Sequence, residues 1–287
     1  DEIHTKALSF IQRNRDRAFF CYLPYTIPHT ELLVPEDSLR QYAGKFDEPN
    51  PYITEREHYR NQKQPRAAYA AMITRLDRQV GDVLELLKRL QLEENTLVIF
   101  TSDNGPQGSG GPDLEFFDGN GPFRGAKGMM YEGGIRTPMI VRWPGRIKAN
   151  STSGHVWYFP DVMPTLAELA GVSQHVPKDI DGISVVPALL GEKAAGRKQP
   201  THEYLYWELG SGKRIRRGLR MGNWKAVQMD PGNPVELFDL AADIGETTNL
   251  AAKRPEVMAK INKLLATCRT EPRPQVEPPT TNGWKFR

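Results

Sequence analysis

An α/β domain joined to a small antiparallel sheet is the fold the sequence predicts, and three observations carry it. Residues 97–101 are an unbroken apolar and β-branched run, Leu-Val-Ile-Phe-Thr, with the pattern of a strand buried on both faces. Ahead of it, Tyr69, Met72, Ile73, Leu76, Val80, Val83, Leu84, Leu87 and Leu90 recur at three- and four-residue steps. That spacing predicts one long amphipathic helix over 66–92 whose apolar stripe is core packing. Beyond about residue 200 the pattern changes to short β-prone runs broken by Gly and Asn, as in a small antiparallel sheet.

The elements follow in order. Ile3, Ala7, Phe10 and Ile11 fall at helical spacing and predict a short helix. Residues 18–23 read as a buried strand stopped by Pro24, and the first strand, the long helix and the 97–101 strand together form a strand-helix-strand unit. Residues 31–64 are polar with few periodic apolar positions, and read as a surface excursion. Residues 139–143 predict another buried strand, closed by Pro144-Gly145. A helix follows, with Asp161 and Pro164 at its start, Leu166 and Leu169 inward and Gly171 just past its end. Residues 172–200 read as loop. The short strands of the second region are expected at 203–207, 216–220, 224–228 and 235–240. A last helix sets Val257, Ile261, Leu264, Leu265 and Cys268 on one face. The expected domains are therefore 1–195, 196–270 and a Pro-rich tail, 271–287.

Composition narrows the classes. Of 287 residues, 39% are hydrophobic, enough for a proper core, while 25 glycines and 23 prolines indicate many loops rather than a helix bundle. A net charge of +3 is close to balance. With no recognised binding module beside it, that balance gives no reason to expect a nucleic-acid partner. No apolar run reaches the ~18 residues of a membrane span, so no membrane partner is expected. The chain opens Asp1-Glu2-Ile3-His4, without an initiator Met or an apolar leader, and this start reads as internal. Cys21 and Cys268 form neither a disulfide framework nor a zinc pattern, and read as small buried hydrophobes.

Chemistry concentrates around the end of the 97–101 strand. Ser102-Asp103-Asn104-Gly105 places an acid and an amide there, at the edge where open α/β sheets bind ligands. Two hard oxygen donors suit Ca²⁺ or Mg²⁺, but two ligands are not a site, and Asp-Asn-Gly on its own is more often a turn. The segment 105–128 has no regular period and contains eight glycines. A loop of that length inside a compact domain is functional or disordered. Within it Lys127 stands between small neighbours, either a solvated surface lysine or an ammonium free to reach an anion. It is not a nucleotide P-loop, because Gly121, four residues, then Ala126-Lys127-Gly128 lacks the hydroxyl that must follow the lysine. Earlier in the chain, Tyr25-Thr26-Ile27-Pro28-His29 places a histidine just past the 18–23 strand. Alone, His29 is a local hydrogen-bonding residue or a ligand-edge one. The run from Lys213 to Arg220 is the densest basic stretch, an exposed strand and turn or a subsite for a polyanion.

Three motifs in order, Thr101-Ser102-Asp103-Asn104-Gly105-Pro106, Gly-Pro-Phe-Arg-Gly-Ala-Lys-Gly at 121–128 and Tyr-Glu-Gly-Gly-Ile-Arg-Thr-Pro at 131–138, make the chain resemble the arylsulfatase family of the alkaline-phosphatase-like superfamily. The stretch from Asp239-Leu240 to Glu246-Thr247-Thr248-Asn249-Leu250 is similar to the closing motif of those enzymes. The resemblance implies a mixed sheet sandwiched by helices, with the small C-terminal antiparallel sheet and its helix appended. It implies that Asp103 and Asn104 hold a divalent metal, Ca²⁺ or Mg²⁺. It also implies that His29 and Lys127 bind the sulfate group and act in catalysis, His29 being placed to protonate the leaving oxygen.

The same resemblance exposes a gap. Sulfatases act through a formylglycine made in a Cys/Ser-x-Pro/Ala-x-Arg motif, and no such motif occurs in this sequence. Cys21 is followed by Tyr22-Leu23-Pro24-Tyr25, with the proline one place late. The family's two N-terminal metal-binding acids are absent as well. The expectation is a C-terminal portion of a sulfuric ester hydrolase acting on a sulfated carbohydrate or an aryl sulfate. The expected partner is a missing N-terminal half or a second copy of the chain, and the isolated chain is expected to be inactive. By family resemblance the compartment is periplasmic, secreted or lysosomal in type. The alternatives are a phosphodiesterase or phosphonate hydrolase of the same superfamily, and a non-catalytic glycan-binding remnant.

Overall fold

The computed structural model describes residues 1–55, 59–210 and 214–270. Lys213, the first residue of the basic run, and the Pro-rich tail after 270 lie outside the described residues. The fold is α/β, as the sequence predicts, and divides into two compact units, Asp1–His202 and Glu203 onward.

In the first unit, helix α1 (Glu2–Arg13) packs against the long helix α3 (Pro65–Arg89). Ile11, Val83, Leu86 and Leu87 are the buried centre of this contact, with Phe19, Cys21, Leu23 and Val98 against it. The helical period decides which side faces inward, and the stripe at 83, 86 and 87 is where α3 meets α1. The N-terminal end of α3 has no capping side chain of its own. Glu48, distant in sequence, supplies one. Its two carboxylate oxygens accept from the backbone N–H groups of Arg66 at 3.0 Å and Ala67 at 2.9 Å. A carboxylate on these orphan donors satisfies them and suits the positive end of the helix.

Strand β1 (Val98–Thr101) pairs antiparallel with β2 (Met139–Arg142), Thr101 opposite Met139 and Val98 opposite Arg142. The two are thus arms of one hairpin whose connection, 102–138, carries the predicted chemistry. Its mouth is held by Thr101 Oγ1 donating to the Pro138 carbonyl at 2.8 Å. At the far end Arg142 pairs with Glu93 at 2.9 Å and the Trp143 indole N–H donates to Glu94 O at 2.9 Å.

Several local expectations need correction. Residues 18–23 form no strand ladder; they run extended, with Phe19, Cys21 and Leu23 toward α3 while Phe20 and Tyr22 are 71% and 76% exposed. The apolar alternation is present, but a strand requires a neighbour for its backbone groups, and none lies beside it among the described residues. For the same reason β1 is half-buried rather than buried on both faces, and Ile140 of β2 is 61% exposed. Residues 31–64 are more than an excursion. Leu32 is buried with Ala68 and Met72 of α3, and helix α2 (Glu36–Leu39) and a Tyr52–Gln62 bridge order the segment. The cysteines are half-buried, and burial pushes both thiols up from their ordinary range.

After β2 come α5 (Val162–Leu169) and two short helices, α6 (Val186–Leu190) and α7 (Glu192–Ala195), the last two where a loop was expected. Helix α4 itself (Glu132–Ile135) is a single turn at the end of the 102–138 connection. Asp161, fully buried, organises this region. Its carboxylate accepts from the backbone N–H of Tyr158 at 3.0 Å and Ile183 at 2.8 Å, and meets His202 Nε2 at 2.9 Å.

The second unit is a four-stranded antiparallel sheet in sequential order, β3 (Leu205–Leu209), β4 (Arg216–Met221), β5 (Trp224–Gln228) and β6 (Glu236–Asp239). Helix α8 (Pro255–Leu265) packs Val257 and Ile261 onto Leu219, Ala226 and Leu237. The closing motif serves this sheet. Asn249 Oδ1 accepts from Leu237 N at 3.1 Å, and Leu250 N donates to Leu237 O at 2.7 Å. Of the basic run, residues 216–220 lie in β4, whose Leu219 belongs to the core. Among the described residues no helix is long and apolar enough to cross a membrane.

Candidate functional site

The 102–138 connection is organised by backbone contacts so close that side chains are excluded. Gly105 N donates to Gly134 O at 2.9 Å, and Lys127 N to Pro106 O at 2.9 Å, so the loop folds back over the end of β1. A Cβ on Gly105 would lie 1.8 Å from Gly133 O; one on Gly133 would lie 2.3 Å from Gly125 O, and one on Gly134 2.1 Å from Met129 O. These three glycines serve close approach, which only a residue without a Cβ permits. Around them, Arg124 stacks on Tyr131 and Arg136 on Phe123, 3.8 and 4.7 Å from the ring centres. The middle of the loop is tied to α3. Arg66 donates from Nε and Nη2 to Asp113 Oδ2 at 2.9 and 2.7 Å, with its guanidinium 3.9 Å from the centre of the Phe116 ring. The Phe116 N–H and then Arg66 hold the Asp113 carboxyl below its usual range.

His29 arrives from the other side. Leu32 and Ile27 pack on α3 beside Ala68 and Met72, and His29 N donates to Thr26 O at 3.0 Å, which sets the turn. The exposed side chains of His29 and Lys127 then meet directly, Lys127 Nζ lying 2.9 Å from His29 Nε2. An ammonium has only donors, so Nε2 is the acceptor; Nδ1 carries the proton and donates it to the Thr30 carbonyl. For the neutral imidazole these contacts select the Nδ1–H tautomer.

Of the four predicted site residues, the structure thus brings His29 and Lys127 into contact. Asp103 and Asn104 lie just beyond β1 and are linked to Lys127 through the Pro106 backbone; no hydrogen bond or ion pair joins them to His29 or Lys127. Asp103 is exposed and has no hydrogen-bonded or ionic partner among the described residues. Asn104 Nδ2 donates to Gly105 O at 3.0 Å, leaving Oδ1 as an unused acceptor. A free carboxylate and a free amide oxygen suit a hard divalent cation. Among the described residues no cluster of three or more His, Cys, Asp or Glu could hold a metal ion, so these two residues do not by themselves make a metal site. Two residues that sequence reasoning missed also stand here. Gln107 Oε1 accepts from Lys127 Nζ at 3.3 Å, and Gln107 Nε2 donates to Thr30 Oγ1. Neither belongs to a motif; a polar side chain inside a glycine-rich loop was the one available signal.

Residues 1–172 match the family model described as Sulfatase. The chain belongs to the sulfatase family. Residues 123–271 of this sulfatase chain also match the model described as N-sulphoglucosamine sulphohydrolase, C-terminal. The N-acetylgalactosamine-6-O-sulfatase of Bacteroides thetaiotaomicron is 30% identical, over 94% of this chain and 51% of its own length. A sulfatase of Formosa agariphila is 33% identical, over 84% of this chain and 43% of its own. Among solved structures, Ps i-CgsB in complex with k-i-k-neocarrahexaose superposes with a TM-score of 0.76 at 27% identity, covering 93% of this chain and 53% of that one. A phosphonate monoester hydrolase of Agrobacterium radiobacter shares the fold, with a TM-score of 0.65 at 23% identity over 93% of this chain and 60% of that one. The sulfatase chain spans about half the length of the curated relatives it matches. Its fold is the alkaline-phosphatase-like one of its sulfatase neighbours, and sulfatases are in general metal-dependent.

Proposed function

We propose that this chain supplies the anion-binding part of a sulfatase that removes sulfate from a sulfated carbohydrate. The observation carrying this reading is the 2.9 Å contact between Lys127 and His29, side chains 98 positions apart that converge on an open surface. Lys127 has a donor left for an ester oxygen after its bonds to His29 and Gln107, and its charge stabilises negative charge developing as the S–O bond breaks. His29 holds Nε2 beside that point, where a proton for the leaving alkoxide would be delivered from Nε2 only with a proton there in place of its bond from Lys127. Asp103 and Asn104 would hold Ca²⁺ or Mg²⁺ together with ligands from elsewhere. That ion, with a formylglycine on a further segment as nucleophile, would supply Lewis acidity and attack at sulfur. The carbohydrate assignment is supported by relatives whose names carry N-acetylgalactosamine and by a neighbour bound to a neocarrahexaose. A periplasmic, secreted or lysosomal-type compartment accords with such a substrate.

Titration of the chain with inorganic sulfate tests this. Saturable binding is expected, weakened about tenfold or more by Lys127→Met, which removes a charge-assisted hydrogen bond. A wild-type chain indifferent to sulfate would refute the reading. With 4-nitrophenyl sulfate and added Ca²⁺ the isolated chain should show negligible turnover, because no formylglycine motif is present in it. Turnover of a phenylphosphonate ester instead would favour the phosphonate hydrolase reading.

A further inference from the structure

We propose that Gln107 is a positioning residue, holding the Lys127 ammonium against His29 and so setting the histidine's tautomer; the inference rests on reading His29 and Lys127 as the anion-binding pair. Lysine is a point charge on a flexible four-carbon stem, and an exposed one does not stay in one place unaided. Here two acceptors fix it, His29 Nε2 at 2.9 Å and Gln107 Oε1 at 3.3 Å. The orientation of the Gln107 amide is decided by its surroundings. Its Nε2 donates to Thr30 Oγ1 and lies 3.1 Å from Ser109 O and 3.2 Å from Ser109 Oγ. Reversing the amide would set an N–H₂ against an ammonium.

Thr30 completes the connection. It is buried, its hydroxyl donates to Ser109 O at 3.0 Å while accepting from Gln107, and its carbonyl accepts the His29 Nδ1 proton. Gly110 lies so close that a Cβ there would fall 2.3 Å from Thr30 Cγ2. One threonine therefore receives both the imidazole, through its backbone, and the glutamine, through its side chain. Gln107 is the link that transfers this fixed geometry to Lys127, which the loop would otherwise leave free. The consequence is chemical. With Lys127 donating to Nε2, a neutral His29 carries its proton on Nδ1, and two of the three ammonium donors are engaged, leaving one for a single oxygen of an anion.

The test uses the full chain labelled with ¹⁵N-histidine, with His29 read by long-range ¹H–¹⁵N correlation under conditions where its imidazole is neutral. Wild type should show one tautomer, Nδ1–H with Nε2 unprotonated. Gln107→Met should give a mixture with Nε2–H, as should Lys127→Met. Gln107→Glu, which keeps the acceptor, should restore the single Nδ1–H form. Inorganic sulfate should bind Gln107→Met about fivefold to tenfold more weakly than wild type, the loss of about one hydrogen bond. An unchanged Nδ1–H tautomer in Gln107→Met overturns the proposal, whatever sulfate does. If Gln107→Met fails to fold, Gln107→Asn, shorter by one methylene, must give the mixture instead, and its absence overturns the proposal equally. If the tautomer responds but wild type binds no sulfate, the positioning role stands and the anion-binding reading falls.

Discussion

Gly105→Ala should disrupt the candidate site from its base. The added Cβ would lie 1.8 Å from Gly133 O, 2.8 Å from the Gly133 carbonyl carbon and 3.0 Å from Gly134 Cα. Ordinary contact is at about 3.5 Å, so the two backbone segments must separate by roughly 1.5 Å. No flexible side chain can absorb this, since every clashing atom is backbone. The separation breaks the Gly105 N to Gly134 O bond and strains the Lys127 N to Pro106 O bond, both 2.9 Å. Overpacking of this kind costs about 1–3 kcal/mol and each lost bond about 1 kcal/mol, so a loss of about 3–4 kcal/mol is expected. Gly81→Ala is the matched control. It lies inside α3 with nothing within 4 Å of its added Cβ, and should stabilise by about 0.5–1 kcal/mol. Native-state hydrogen exchange reads both. The Gly105 and Lys127 amides should exchange more than 100-fold faster in Gly105→Ala, consistent with about 3 kcal/mol. Unchanged protection at those amides, with a urea midpoint equal to wild type, would show that the loop yields without loss and that the close approach is not needed.

Three further outcomes are expected. The Asp113 carboxyl is held below its ordinary range by the Phe116 N–H and by Arg66, so its stabilisation is full at neutral pH and is lost as pH falls through the depressed value. Asp113→Asn should therefore lower stability at pH 7, and the gap to wild type should close below about pH 4; equal gaps at pH 7 and pH 3 in urea titrations would contradict this. Burial holds the His155 imidazole below its usual range, outweighing the opposing pull of Asp161, so stability should decline as pH falls below about 6.5. His155→Gln should flatten that slope in thermal melts between pH 7 and pH 5. Finally, Phe20, Tyr22 and Ile140 offer apolar surface beside strand-like backbone, which favours association with a complementary segment or a second copy. Sedimentation of the isolated chain should give a mass above one copy, reduced by Phe20→Asp with Ile140→Lys; a clean monomer in wild type would rule this out.

What was legible in the sequence was what is local. The periodicity of α3 was readable because a helix satisfies its backbone within itself and leaves only a face to be buried. The β3–β6 sheet was readable because its strands are sequential and joined by turns with their own residue preferences. The motifs around Asp103, Lys127 and Gly133 were readable as patterns of residue types, which by themselves suit an anion and a hard cation.

Tertiary structure alone decided the rest, because the deciding partners are remote along the chain. Residues 18–23 have the alternation of a strand, yet pairing depends on a neighbour that alternation does not name. The glycines of the 102–138 connection read only as part of an aperiodic, glycine-rich loop, whereas Gly105, Gly133 and Gly134 are required by carbonyls of other segments pressed against them. Gln107 carried no signal beyond being a polar side chain in a glycine-rich loop, since its role depends on Thr30 and Lys127 meeting across the loop. The sequence by itself determined which residues carry charge, oxygen and imidazole. That His29 accepts from Lys127, with its own proton committed to Thr30, is a matter of ångströms that only the packed chain decides.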